Sequence, residues 1–184
     1  MNTRTNNFLK GGIVLLSALL FSCTQKDTQD NYVALATSFE EAKPQIIFLV
    51  RHAEKADDGT KDPDLNKIGQ ERAQKLAAML QTAEIQGIYS SPYKRTQQTG
   101  QPLADSLRLT IQEYNPSKPE EVKQIIDSAT GKNLLIVGHS NTTPTVVNYL
   151  LGEEKYSQLD EAEYDKLFVL VKGTEKYTCT VLSF

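Results

Sequence analysis

The chain is poor in the residues that ligate metals and staple small folds. Its 184 residues include two cysteines, two histidines and no tryptophan. Two cysteines exclude a disulfide-rich scaffold and a Cys-only zinc site. Two histidines exclude a three-histidine metal centre within one chain, and no cofactor or metal is expected. Positive charge is not in excess either: 20 Lys+Arg face 23 Asp+Glu, for a net charge of −3. A nucleic-acid binder carries a basic surplus or stripe, so no nucleic-acid partner is expected. No apolar run reaches the roughly 20 residues that span a bilayer. No internal period points to a solenoid or propeller. What is present, 39% apolar and 23% charged residues, is the composition of a folded chain, and the length suits one domain.

The first residues differ from the rest. Arg4 and Lys10 precede a short apolar run, Ile13 to Phe21, and no acid occurs before Asp27. A basic start, a short apolar core and a small residue before the cut describe a secretory signal peptide. Leu20-Phe21-Ser22-Cys23 resembles the lipobox of bacterial lipoproteins, in which the cysteine becomes the lipidated first residue. The resemblance implies a signal peptide over 1–22, a lipid on Cys23 and attachment to a membrane of the cell envelope, on its periplasmic or surface side. An ordinary signal peptide and an uncleaved anchor are the competing readings. Residues 23–43 are polar and without period, as in a tether. Cys179 lies in an apolar, β-branched segment that points to burial.

The domain over 44–184 alternates strands and helices. Gln45–Val50 is nearly continuous in apolar residues, as in a strand covered on both faces. Asn66 caps an expected helix to Gln81, with Ile68, Ala73, Leu76, Ala77 and Leu80 as its apolar stripe. A strand over 85–89 leads to a helix over 93–107, with Pro92 in its first turn. A strand over 109–113 precedes a helix for which Ser117 and Glu120 fit a capping box, with Pro119 early in it. Asn133–Val137 is the most apolar strand, and a helix over 143–151 ends at Gly152. Strands over 167–172 and 177–182 close the chain around Gly173. This order predicts an α/β protein: a three-layer α/β/α sandwich with a largely parallel central sheet and an antiparallel member from the last hairpin.

Both histidines fall at strand ends. Val50 runs into Arg51-His52, and the 133–137 strand runs into Gly138-His139. Ligands of open α/β sheets collect beyond the carboxyl ends of the strands. Arg95 lies early in the helix after the second strand, where helix N–H groups also attract anions. Two arginines and two histidines meeting there would make a phosphate site, since guanidinium groups hold phosphate oxygens in a fork. A neutral imidazole could attack phosphorus. Each residue alone has a plainer explanation; Arg51, for one, could bind an acidic loop residue.

Leu49-Val50-Arg51-His52-Ala53-Glu54-Lys55 resembles the Arg-His-Gly signature of the histidine phosphatase superfamily, also called phosphoglycerate mutase-like, with Ala53 in place of Gly. Ser91-Pro92-Tyr93-Lys94-Arg95-Thr96-Gln97-Gln98-Thr99 resembles the second signature, and Val137-Gly138-His139-Ser140 the third. Their order matches too, and the combination is far more specific than any one part. The resemblance implies that His52 becomes phosphohistidine, that Arg51 and Arg95 clamp the phosphoryl group, and that His139 completes the pocket. Asn141 is a pocket-mouth residue or a helix cap. Glu113 is the nearest candidate for the acid that protonates the leaving group. Tyr114-Asn115-Pro116 resembles a relative's Tyr-Asp-Pro, in which Asn cannot donate that proton.

The implied function is a metal-independent phosphatase acting on a small phosphorylated substrate or a phosphoprotein, as phosphomonoester or phosphohistidine. The alternatives are a phosphate- or phosphosugar-binding lipoprotein without turnover, and a phosphoglycerate mutase-type phosphotransferase. Specificity is expected in the loops 53–64, 114–120 and 152–166, of which 57–64 and 153–165 are acidic.

Overall fold

The computed structural model describes residues 43–184. The signal peptide, Cys23 and nearly all of the tether lie outside the described residues. Among the described residues, six strands and four helices alternate up to a final hairpin. They are β1 (Gln45–Arg51), α1 (Lys67–Leu80), β2 (Ile85–Ser90), α2 (Lys94–Leu107), β3 (Ile111–Glu113), α3 (Pro119–Ser128), β4 (Asn133–Gly138), α4 (Thr142–Leu151), β5 (Lys166–Lys172) and β6 (Tyr177–Ser183). No described helix is long and apolar enough to cross a membrane.

The strands form one sheet in the order β3-β2-β4-β1-β5-β6. The pairs β3–β2, β2–β4 and β4–β1 are parallel, whereas β5 runs antiparallel to β1 and β6 antiparallel to β5. The architecture is the expected α/β one, with a mostly parallel sheet. Alternation along the central strands divides the core between two faces. Ile47, Leu49, Leu134 and Ile136 pack with Val122, Ile126, Val146 and Val147 of α3 and α4. Phe48, Val50, Leu135 and Val137 pack with Leu76, Leu80, Leu103 and Ala104 of α1 and α2. Burial on both faces is why β1 and β4 read as continuous apolar runs.

Several local expectations need correction. Asn66 caps α1 as expected, its side chain accepting from the Gly69 amide at 2.9 Å, but Ile68 is 59% exposed and lies off the buried stripe. Pro92 precedes α2, whose N-cap is Tyr93, and so does not occupy the first turn. The capping box at Ser117 does not form. Pro119 takes the first helical position and makes Lys118 the N-cap, without a side-chain capping bond. Ser117 instead donates its amide to Asn115 Oδ1 at 3.0 Å, in a turn. Cys179 is half-buried rather than buried.

Two glycines permit close approaches around the strand ends. A Cβ on Gly69 would collide with the Glu54 carbonyl oxygen, so the first turn of α1 can lie against the segment after His52 only without a side chain. A Cβ on Gly138 would meet the hydroxyls of Thr143, Tyr114 and Thr142 at 2.9, 3.0 and 3.1 Å.

Candidate active site

The carboxyl ends of β1 and β4 lie side by side, with Arg51 opposite Gly138 in register. The His52 amide donates to the Gly138 carbonyl at 2.9 Å and continues the ladder one residue past the strand. His52 and His139 are thereby brought together from opposite parts of the sequence. Their ring centroids are 5.4 Å apart, with planes inclined by 67°. Both rings line a cavity of about 400 Å³ together with Arg51, Arg95, Tyr93, Asn141 and Glu161, among others.

Each histidine has one nitrogen already committed. His52 is 4% exposed, and its Nδ1 lies 2.8 Å from the Ala53 carbonyl oxygen. A carbonyl only accepts, so Nδ1 carries the proton and Nε2 keeps its lone pair. Ala53 is held in turn by its amide, which donates to Thr99 Oγ1 at 2.9 Å. The extra methyl of Ala53 packs in a small buried cluster with Leu65 and Ala73.

His139 Nε2 lies 2.8 Å from Ser91 Oγ, and Ser91 Oγ lies 3.0 Å from Thr96 Oγ1. Thr96 donates to the carbonyls of Ser91 and Tyr93, each at 2.8 Å. Because that chain ends on acceptors, the hydroxyls donate outward along it and His139 donates from Nε2. Its Nδ1 then accepts from Arg95, whose Nη2 is 3.4 Å away.

Both imidazoles are held neutral. The pKa of His52 is lowered to about 3, chiefly by burial, with the nearby His139, Arg95 and Arg51 adding to the effect against the opposing bond to Ala53. Burial, Arg95 and Arg51 likewise bring His139 to about 4.

Arg51 is almost wholly enclosed, its side chain 2% exposed. Its Nη1 donates to the carbonyls of Asp160, Glu161 and Glu163 at 2.8, 3.2 and 3.1 Å, and its Nη2 donates to Glu161 Oε2 at 3.0 Å. The guanidinium also stacks over Tyr164, 4.0 Å from the ring centroid. Arg95 lies over Tyr93 at 4.5 Å and pairs with Asp62 at 3.6 Å. The Nε atoms of Arg51 and Arg95 are buried and have no partner among the described residues. Two orphaned cationic donors beside two neutral imidazoles suit a small, multiply charged oxyanion. Among the described residues, no three His, Cys, Asp or Glu side chains gather as a metal-ligating group.

Of the residues singled out in the sequence, Arg51, His52, Arg95 and His139 line one cavity. Asn141 also lines it; it occupies the N-cap position of α4 but makes no side-chain capping bond. Glu113 does not join them. It is exposed at the end of β3, accepts from Gln97 Nε2 at 2.8 Å and lines a neighbouring groove with Pro92, Tyr114 and Glu121. Asn115 lies in that groove as well. Glu161, Tyr164 and the Ser91–Thr96 relay carry no signal in the sequence that would single them out. Glu161 stood only within an acidic loop expected to shape specificity, and Ser91 only within the second signature.

Residues 47–115 match the model of the histidine phosphatase superfamily, branch 1. A curated relative, phosphoserine phosphatase 1 of Hydrogenobacter thermophilus, is 38% identical over 71 residues, which are 35% of this chain and 34% of that protein. The match thus spans about a third of the relative's length. Among solved structures, a mycobacterial glucosyl-3-phosphoglycerate phosphatase superposes with a TM-score of 0.65 at 12% identity, over 77% of this chain and 99% of that one. An Agrobacterium tumefaciens protein described as the phosphohistidine phosphatase SixA superposes with a TM-score of 0.59 at 22% identity, over 77% and 99%. These two similarities concern the fold, whereas the 47–115 match includes the first two strand-end segments of the cavity. Over residues 47–115 the chain is similar to the histidine phosphatase superfamily, branch 1.

Proposed function

We propose that the protein is a metal-independent phosphatase that hydrolyses a phosphomonoester or phosphohistidine through a phosphoryl group carried on His52. The observation that supports this most is the state of the His52 ring: Nδ1 bound to the Ala53 carbonyl at 2.8 Å and a pKa of about 3. Such a ring presents a lone pair on Nε2 at every pH above about 4, with no proton to remove before attack.

The steps follow from these groups. Arg51 and Arg95 bind the substrate's phosphoryl oxygens through their free N–H groups and offset its charge. The Nε2 lone pair of His52 forms a bond to phosphorus while the bond to the leaving oxygen breaks in line with it. Arg95, positioned in part by its contact with His139 Nδ1, holds the equatorial oxygens in place. Water then attacks phosphorus from the side vacated by the leaving group, the P–N bond breaks, and its electron pair returns to His52. Phosphate departs with the free ring restored.

Relatives named for phosphoserine, glucosyl-3-phosphoglycerate and phosphohistidine share the family or the fold. The substrate class is therefore best defined by the pocket: one terminal phosphoryl group, with the remainder of the molecule near Tyr93, Asn141 and Lys55. We further propose that a lipid on Cys23 holds the domain at an envelope membrane, as the 20–23 motif suggests; incorporation of a labelled fatty acid, lost in Cys23→Ala, would support it.

The purified full chain is to be assayed for phosphate release from a panel of aryl, sugar and amino-acid phosphates and phosphohistidine. His52→Ala should lower kcat/KM by roughly 10³-fold or more and abolish the labelled phosphoenzyme trapped on quenching. After allowance for substrate ionisation, kcat/KM should show no break near 6.5, the ordinary histidine value, and should fall only as pH approaches about 4. Unimpaired turnover by His52→Ala would overturn the mechanism. Phosphate binding without turnover by the wild type would favour a binding protein.

A further inference from the structure

We propose that Glu161 is the general acid of this site, supplying the leaving group's proton from the loop between α4 and β5. The proposal rests on the phosphatase reading above and adds to it the group that His52, Arg51, Arg95 and His139 do not provide. An alkoxide leaving group needs a proton as its bond to phosphorus breaks. Both histidines are unsuited to give it, because each has its one N–H directed away, to Ala53 or to Ser91. Glu113 faces the neighbouring groove. Among the described residues that line the cavity, Glu161 is the single carboxylate.

Its anchoring suits the role. Oε2 accepts from Arg51, the residue before His52, and Oε1 accepts from Ser140 at 3.3 Å, the residue after His139. The carboxylate thus bridges the neighbours of both histidines. The backbone around it is tied down by Arg51 Nη1, which binds the carbonyls of Asp160, Glu161 and Glu163. The side chain itself is 74% exposed. A fixed main chain with a solvent-facing carboxyl can exchange protons with water and still reach the reacting atoms by rotation about its own bonds.

Substrate binding would also release it, because a phosphoryl dianion takes up the positive charge of Arg51 that holds the carboxylate in the free site. In the first step His52 Nε2 bonds to phosphorus, the P–O electron pair moves to the leaving oxygen, and that oxygen takes the proton from Glu161. In the second, water bonds to phosphorus, its proton passes to the Glu161 carboxylate, and the P–N pair returns to His52. The cycle ends with both residues as they began.

The test uses the full chain and a series of phosphate esters whose leaving groups run from nitrophenol to simple alcohols. Glu161→Gln preserves size and the bond to Ser140 but has no acidic proton. It should lower kcat on alkyl phosphates by about 10²-fold or more and on 4-nitrophenyl phosphate by far less, steepening the dependence on leaving-group acidity. Glu161→Asp should recover part of the alkyl phosphate rate. A uniform change across the series in Glu161→Gln would overturn the proposal and leave Glu161 as a competitor for Arg51 only. Wild-type turnover with a trapped phosphoenzyme separates that failure from failure of the phosphatase reading, in which neither would be seen.

Discussion

Two arginine–glutamate pairs flank His52 and differ in almost everything but chemistry. Arg72 grips Glu54, two residues after the histidine, with Nε at 3.0 and 2.9 Å from the two carboxylate oxygens and Nη2 at 2.7 Å. Both side chains are largely covered, 22% and 16% exposed, and Arg72 also donates to the Phe184 carbonyl at 2.9 Å. Arg51 and Glu161 share one contact between a side chain 2% exposed and one 74% exposed. The first pair is closed on itself and locks a loop. The second leaves a carboxylate free to depart from a guanidinium that cannot move. The same two residue types build a rivet in one place and a replaceable counter-ion in the other, and shielding decides which.

The largest effect expected from breaking this contrast is on activity. Arg51→Lys keeps one positive charge but loses the planar fork and cannot satisfy three carbonyls. The expected loss in kcat/KM is on the order of 10²–10³-fold, read by steady-state kinetics. An undiminished rate would mean that Arg51 merely holds the loop. The rivet should respond in stability instead. Arg72→Met strands a partly buried carboxylate, and urea unfolding should show a loss of roughly 1–3 kcal/mol. Equal stability would show that Glu54 is held by its other contacts.

A pH titration sharpens the difference further. Burial opposes the charge of Glu54, but hydrogen bonds from Arg72 prevail and hold its carboxyl below the ordinary 4.5. A depressed value in the folded state means that this stabilisation is complete well above pH 4.5 and lost as pH falls through the lower folded value. Glu54→Gln should therefore shrink the acid-side loss of stability relative to wild type. The smallest effect belongs to an outer pair, Lys43 and Glu84, with side chains 82% and 67% exposed. Lys43→Ala should leave the melting temperature within about 1 °C. A larger shift would undo the distinction by shielding.

How much of this was legible in the sequence varies with the range of the cause. β1 and β4 were legible because a strand covered on both faces leaves a continuous apolar run. Asn66 was legible because a cap acts within three residues. Ser117 failed because Pro119 competes for the same helix start and fixes it one residue later. Ile68 failed because the first turn of α1 faces solvent at that position. The strand-end histidines could be placed together by topology alone, since parallel strands carry their carboxyl ends to one edge. Glu161 could not. Its contact with Arg51 depends on the path of an irregular loop 110 residues away, and no spacing rule encodes such a path.

The Ala53 carbonyl has a consequence for isomer chemistry. Histidine can be phosphorylated on either ring nitrogen, and the two products differ in structure and in reactivity. With Nδ1 hydrogen-bonded to Ala53 in the interior, a phosphoryl group carried by His52 as proposed would sit on Nε2, as 3-phosphohistidine. One backbone oxygen therefore acts as a regiochemical filter, and antibodies that distinguish 1- from 3-phosphohistidine would report a single product.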